Sequence, residues 1–273
     1  MARQILRPSA PSILPPVNPD LICLLVSTLL FGGEIVWVAF GIRSGQPDRA
    51  PGNIALMAGG FVAQLGFLYL RGRQAQSCPI NTPSEILVFV AWSAVVLYFL
   101  VGRPFRLSLL GMFTAPLAVV LQLAALPNLG ATPLRPHSGD FWLGMHASVS
   151  LMAYGSFALA FIAAILFLAQ DHLLRAGHLD GLSSSLPPVS NLTHAIVRLV
   201  GSGLILLGIG MFCAIGMKKH PSLLHLGMSG MVWVLYAGLL AWRRWGIMPN
   251  PRLAWCAIGG FLLPVITVGF LQH

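Results

Sequence analysis

The sequence predicts an all-α fold, a polytopic membrane helix bundle with about eight transmembrane helices. Of the 273 residues, 56% are hydrophobic and only 8% are charged, and the mean hydropathy is +0.81. Soluble domains carry about 25% charged residues, so this composition indicates an integral membrane protein. The apolar residues also gather in runs long enough for a helix to cross a hydrocarbon core of roughly 30 Å.

Eight apolar runs, each bounded by charge, proline or glycine, predict the membrane spans. They fall at roughly 20–42, 54–70, 84–102, 106–126, 141–170, 191–217, 222–242 and 253–271. We expect residues 20–273 to form a single transmembrane domain and the proline-rich residues 1–19 to form a flexible tail, not a signal peptide. The connections 127–140 and 171–190 are rich in glycine, proline and serine and are predicted to be surface loops.

The charge pattern predicts contact with lipid and not with nucleic acid. The 16 lysines and arginines against seven acidic residues give a net charge of +9. Most of these charges lie singly or in pairs between the apolar runs, as is typical of loops at a membrane surface. Lysine and arginine are nearly balanced between the two faces, so charge alone does not orient the chain.

No pattern of catalytic residues stands out in the sequence. It contains no carboxylate pair, Ser/His/Asp grouping or phosphate-binding glycine loop, so we expect no enzymatic activity. The four cysteines form no CxxC motif, which predicts neither a disulfide nor thiol chemistry.

Two spans carry polar or small residues that need an explanation. Glu34 lies in the middle of the first span, where an ionisable group is costly, so we predict that it is buried against other helices. Arg198, about two turns into the sixth span, either pairs with Glu34 or snorkels to the interface. Glycines of the sixth span recur every seven residues, which predicts close helix packing, at Gly201/Gly208 and Gly203/Gly210.

His146 lies near the start of the fifth span, on the same helical face as Ser150 and Tyr154. Two interpretations stay open: a ligand for haem or a metal, or a packing residue hydrogen-bonded to a neighbouring helix. Five of the eight histidines fall on the face that carries both termini, namely His137, His146, His220, His225 and His273.

The segment from His146 to Gly210 resembles the cytochrome c assembly family. In that family a span opening with histidine continues through tyrosine to a polar Gln-acid-basic step, and the next span has arginine followed by spaced glycines and leucines. Here these residues are His146, Tyr154, Gln170, Asp171, His172, Arg175, Arg198, Gly201, Gly203, Leu206, Leu207 and Gly210. The resemblance is clearest over 140–271. The family includes the haem-handling CcsA/ResC and CcmC proteins and the shorter HemX and YpjD proteins. The length of this chain is closest to the shorter proteins.

The resemblance implies a haem-handling role with His146 as one haem-side histidine and either His273 or His220 as the second. Tyr154 and Arg198 complete the candidate cofactor-binding set, and no other metal site is implied. The loop 216–225 lacks the Trp-rich, Asp-containing segment of the haem-handling members, so we expect weak haem binding at most. The implied location is the bacterial inner membrane, with this loop and both termini outside.

The resemblance therefore implies a membrane protein that supports haem handling or the biogenesis of cytochromes and other membrane proteins by binding haem or protein partners. Two alternatives stay open. One is a scaffold or regulator that binds a partner protein without haem, and the other is a small-solute permease with Glu34 and Arg198 lining its path.

Overall fold

The computed structural model describes residues 18–44, 50–102, 108–130, 140–176, 188–218, 223–246 and 248–270. Over these ranges the chain forms eight α-helices and no strand, which confirms the predicted all-α fold. The helices are α1 Pro19–Arg43, α2 Ala50–Ala75, α3 Pro83–Leu97, α4 Ser108–Ala125, α5 Phe141–Arg175, α6 Val189–Ile215, α7 Leu223–Arg244 and α8 Asn250–Phe270. A π-helical turn at Tyr98–Gly102 extends α3, and a 3-10 turn at Leu126–Asn128 follows α4.

Five of these helices are long and apolar enough to cross a membrane within the described residues, namely α1, α2, α3, α5 and α6. The remaining α4, α7 and α8 have 18, 22 and 21 residues. The chain is therefore a multi-pass membrane protein.

The predicted bounds are close to the observed ones, with corrections at the helix ends. α5 runs five residues past the predicted end at 170, because the start of the predicted loop 171–190 is still helical and carries an i,i+4 ion pair of 2.9 Å between Asp171 and Arg175. α2 starts at Ala50 and ends at Ala75, so Arg71 belongs to a helix and not to a loop. Pro19 belongs to α1, and the rest of the predicted tail up to residue 17 lies outside the described residues.

The first four helices and the last four form two neighbouring groups. α1 packs on α2 and α4, and α3 packs on α4; in the second group α5 packs on α6 and α8, while α7 lies between α6 and α8. α3 contacts α5 and joins the groups. Small residues permit that contact, because a Cβ atom added at Gly155 of α5 would lie 2.9 Å from Cβ of Ser93 of α3.

A capping box fixes the start of α3. The Thr82 hydroxyl accepts a hydrogen bond from the Glu85 amide, and the Glu85 carboxylate accepts one from the Thr82 amide, while Pro83 occupies the first helical turn. This arrangement satisfies amides that the helix itself leaves unpaired.

Candidate functional site

The packing of α5 against α6 forms the frame of the candidate site. A Cβ atom added at Gly203 would overlap the Phe157 ring, and one added at Gly210 would lie 2.5 Å from Oγ of Ser150. Only glycine lets the two backbones approach so closely. The predicted packing role of these two glycines is confirmed.

Asp140 fixes the start of α5 beside the end of α6. One carboxylate oxygen accepts a hydrogen bond from the Trp142 amide at 3.1 Å, which caps α5, and the other accepts one from the Lys218 amide at 3.0 Å. The Trp142 indole lies over Gly216, where an added Cβ would be 2.6 Å from the ring. These contacts position the first turns of α5, including the turn that carries His146.

His146 is buried, with 7% of its surface exposed, and its Nδ1 lies 2.7 Å from the carbonyl oxygen of Gly210. A carbonyl only accepts hydrogen bonds, so Nδ1 is the donor and carries the proton. In the neutral ring Nε2 then holds the lone pair. A carbonyl of the neighbouring helix thus takes up one ring nitrogen, as the packing interpretation predicts. The same bond also orients metal-ligating histidines in many proteins.

Tyr154 and Arg198 do not gather around His146. Tyr154 is buried two turns further along α5, and its side chain lies close to Ser229 of α7. Arg198 is exposed on α6, twelve residues before Gly210, which is about 18 Å along the helix axis. Tyr154 therefore joins α5 to α7, and Arg198 lies towards the opposite membrane face from His146.

The second haem-side histidine lies outside the described residues. This applies to both candidates, His220 and His273, and also to His137 and to the side chain of His225. Among the described residues, no group of three or more His, Cys, Asp or Glu side chains is arranged to hold a metal ion. The pairing of His146 with a second histidine stays a prediction.

Comparison with known proteins identifies the helices that frame His146. The family model described as cytochrome C assembly protein matches residues 82–215. This range starts at the N-cap of α3 and ends with the last residue of α6. Residues 82–215 belong to the cytochrome c assembly protein family.

Several curated relatives carry the name cytochrome c biogenesis protein CcsA. The protein from Rippkaea orientalis is 28% identical over 167 residues, which cover 58% of this chain and 47% of the relative. The protein from Gloeobacter violaceus is 28% identical over 160 residues, covering 55% of this chain and 44% of the relative. A relative from a Synechococcus species is 34% identical over 121 residues, covering 42% of this chain and 35% of the relative. The chain thus matches about half or less of the length of these relatives.

The family match includes His146, Tyr154, Arg198 and Gly210 but ends before His220 and His273. It also begins after α1 and α2. The resemblance to the HemX and YpjD branch stays a prediction, since the relatives named above are CcsA proteins.

Glu34 is buried as predicted, with 1% of its surface exposed. It does not pair with Arg198, because neither Glu34 carboxylate oxygen has a hydrogen-bond partner among the described residues. The exposed position of Arg198 favours the alternative in which its side chain reaches the interface.

A cluster of charges at one end of the first four helices was not predicted. Nε of Arg71 lies 2.8 Å from the Asp20 carboxylate, and its Nη1 atom lies 4.0 Å from Glu85. The guanidinium also donates to the carbonyl of Leu129 at 2.7 Å. The sequence contained one indication of this cluster. Consecutive spans alternate in direction, which brings the start of α1, the end of α2 and the start of α3 to the same membrane face.

Proposed function

We propose that this protein binds haem as cargo at the membrane face where α5 begins, and thereby supports cytochrome assembly or the stability of partner membrane proteins. It acts by binding and not by turnover, in the inner membrane of a bacterium. The hydrogen bond between His146 Nδ1 and the Gly210 carbonyl carries the proposal. It holds the ring in the tautomer whose Nε2 nitrogen is the one able to bind iron.

Exposed apolar residues at the start of α5 support the proposal, because a porphyrin needs an apolar surface beside its axial histidine. Phe141, Trp142 and Met145 are exposed, by 69%, 42% and 38% respectively, and the two aromatic rings meet edge to face. They are apolar side chains at the end of the helix that carries His146. Lys218, exposed and tied to Asp140 through its amide, supplies a positive charge for a propionate or a lipid phosphate.

The test is haem titration of detergent-purified protein, followed by visible absorption. We expect a Soret band in the wild type that is shifted from that of free haem, and this shift should be lost in His146→Ala and in His146→Asn. The asparagine amide can still donate to the Gly210 carbonyl, so this variant keeps the helix contact but lacks the iron-binding nitrogen. His172→Ala is the matched control, since His172 is exposed in the last turns of the same helix at the opposite membrane face, and this variant should keep the shifted band.

A scaffold or regulator without haem is the second candidate. The observation that favours it is a stripe of exposed apolar residues on the outer face of α6, which a partner helix could cover: Ile205, Ile209, Phe212 and Ile215. If the Soret band of added haem is the same with and without wild-type protein, the haem proposal is contradicted and the scaffold or regulator remains.

A further inference from the structure

Glu34 lies in the interior of the first helix pair. α1 and α2 run antiparallel, with Gly33 beside Leu56 and the Trp37 ring over Gly52. Glu34 is therefore level with the first half of α2. It is 1% exposed and both of its carboxylate oxygens lack a hydrogen-bond partner among the described residues. An unsatisfied polar group in a membrane interior costs several kcal/mol, so this position calls for a ligand.

Several other polar groups inside the first four helices have partners. At one end Arg71 compensates Asp20 and Glu85. In the middle, Gln122 of α4 donates to the Ser27 hydroxyl at 2.9 Å and accepts from the Thr28 hydroxyl at 2.6 Å. Gln64 is also buried without a partner in the described structure, but it carries no charge. A carboxyl group without a compensating cation among the described residues thus occurs at the level of Glu34.

Two further residues with side-chain oxygen atoms, Asn53 and Tyr98, lie on the neighbouring helices. Asn53 of α2 is 6% exposed and its Oδ1 lacks a partner among the described residues. Tyr98, at the end of α3, is 8% exposed and lies within electrostatic range of Glu34. Its hydroxyl also closes the site towards α4, since it lies 3.0 Å from the place of a Cβ atom at Gly111. The group consists of a carboxylate, an amide oxygen and a phenol.

We propose that Glu34, Asn53 and Tyr98 form a binding site for an alkali-metal cation, Na⁺ or K⁺. Oxygen ligands select hard cations, and thiolates and imidazoles are absent from this group of three. A single carboxylate is neutralised by a single positive charge, whereas a divalent ion would leave a net charge inside the membrane. Glu34 and Asn53 lie on α1 and α2, outside the matched family range 82–215, whereas Tyr98 lies within it. The site shares no residue with the one around His146, which lies near the start of α5.

The test is the reaction of purified protein with dicyclohexylcarbodiimide, which modifies protonated carboxyl groups in apolar surroundings. Mass spectrometry of the peptide containing Glu34 measures the labelling rate. In choline chloride we expect rapid labelling, and replacing choline by Na⁺ or K⁺ at constant ionic strength should slow it, because a bound cation excludes the proton. At ten times the dissociation constant the rate should fall about elevenfold. Comparison of the two salts tells which cation is preferred.

Three variants make the outcome decisive. Glu34→Gln should remove the label, Asn53→Leu should keep the label but weaken the protection by salt, and Gln64→Leu should behave like wild type.

Thermal unfolding gives an independent measurement, in which Na⁺ or K⁺ stabilises wild type but not Glu34→Gln. Absence of labelling in choline, labelling that ignores both salts, or the same salt response in Glu34→Gln overturns the proposal.

Discussion

The guanidinium of Arg71 lies 2.8 Å from the carboxylate of Asp20, and this pair ties the end of α2 to the start of α1. Both side chains are largely buried, and Glu85 brings a second carboxylate to the same guanidinium. The cluster therefore connects the first two helices to the start of the family core at α3.

Replacement of Arg71 by methionine should strongly destabilise the protein. It would leave two carboxylates without their cation, and breaking a buried pair costs about 3 to 5 kcal/mol. Thermal unfolding in detergent can be followed with a thiol-reactive dye, because Cys213 is buried in the native state and free to react once exposed. Arg73→Met is the control, since Arg73 is exposed two residues further on and should change stability by less than about 0.5 kcal/mol. Equal unfolding temperatures for the two variants would contradict a stabilising role.

Gly203→Ala should destabilise the contact of α5 with α6. The added methyl group meets the ring of Phe157, which is itself stacked on Tyr236 at 4.4 Å between centroids and so cannot move away freely. Overpacking of this kind costs about 1 to 3 kcal/mol. A second substitution, Phe157→Leu, should recover part of the loss, and its failure to do so would argue against the steric explanation.

Gly238→Ala is the matched control for that substitution. Nothing lies within 4 Å of a Cβ atom at Gly238, which is exposed in the interior of α7. Alanine is favoured over glycine in helices by about 0.5 to 1 kcal/mol. The same thermal assay should therefore show Gly238→Ala to be as stable as wild type or slightly more stable.

The hydrogen bond of His146 should contribute to stability independently of haem. In haem-free protein His146→Ala removes the bond to the Gly210 carbonyl and should cost about 0.6 to 2 kcal/mol. His146→Asn can keep a donor at this place and should lose less. If His146→Asn were less stable than His146→Ala, the bond would not explain the position of the ring.

The predicted orientation places Lys218 outside and Arg175 in the cytoplasm. Both residues are exposed, beyond the end of α6 and at the end of α5 respectively. In a background without the native cysteines, Lys218→Cys in intact cells should react with a membrane-impermeant maleimide, and Arg175→Cys should react only after the cells are opened. The reverse labelling pattern would show the opposite membrane orientation, with His146 near the cytoplasmic face. The native cysteines to be replaced are Cys23, Cys78, Cys213 and Cys256.

The helices could be predicted from the sequence, because hydrophobicity decides which segments enter a membrane. The cluster of Asp20, Arg71 and Glu85 could not be predicted in this way. The end of α5 was missed since its last turn, around Asp171 and Arg175, continues as a polar helix past the apolar run. Asp20, Arg71 and Glu85 each mark the edge of an apolar run, and only the meeting of three helix ends makes them a cluster.

The candidate site was predictable only in part. The resemblance singled out His146, and its polar position required a partner, but backbone carbonyls carry no sequence signature, so the Gly210 oxygen could not be named. Burial of Glu34 followed from the cost of a charge facing lipid. Its separation from Arg198 depends on helix packing, which the apolar pattern does not encode.

The outer surface of α1 has a consequence for how the protein is made. During synthesis α1 precedes Asn53 and Tyr98 in the chain, so it leaves the ribosome and enters the translocon before the oxygens that will surround Glu34 exist. A central acidic residue opposes insertion by about 2.5 to 3.5 kcal/mol, and each leucine, valine or phenylalanine favours it by about 0.3 to 0.6 kcal/mol. The exposed Leu29, Val36 and Phe40 therefore do more than face lipid in the finished protein. Their favourable insertion free energy offsets the cost of placing the Glu34 carboxyl group in the bilayer. With polar residues in their place, α1 would insert only together with α2.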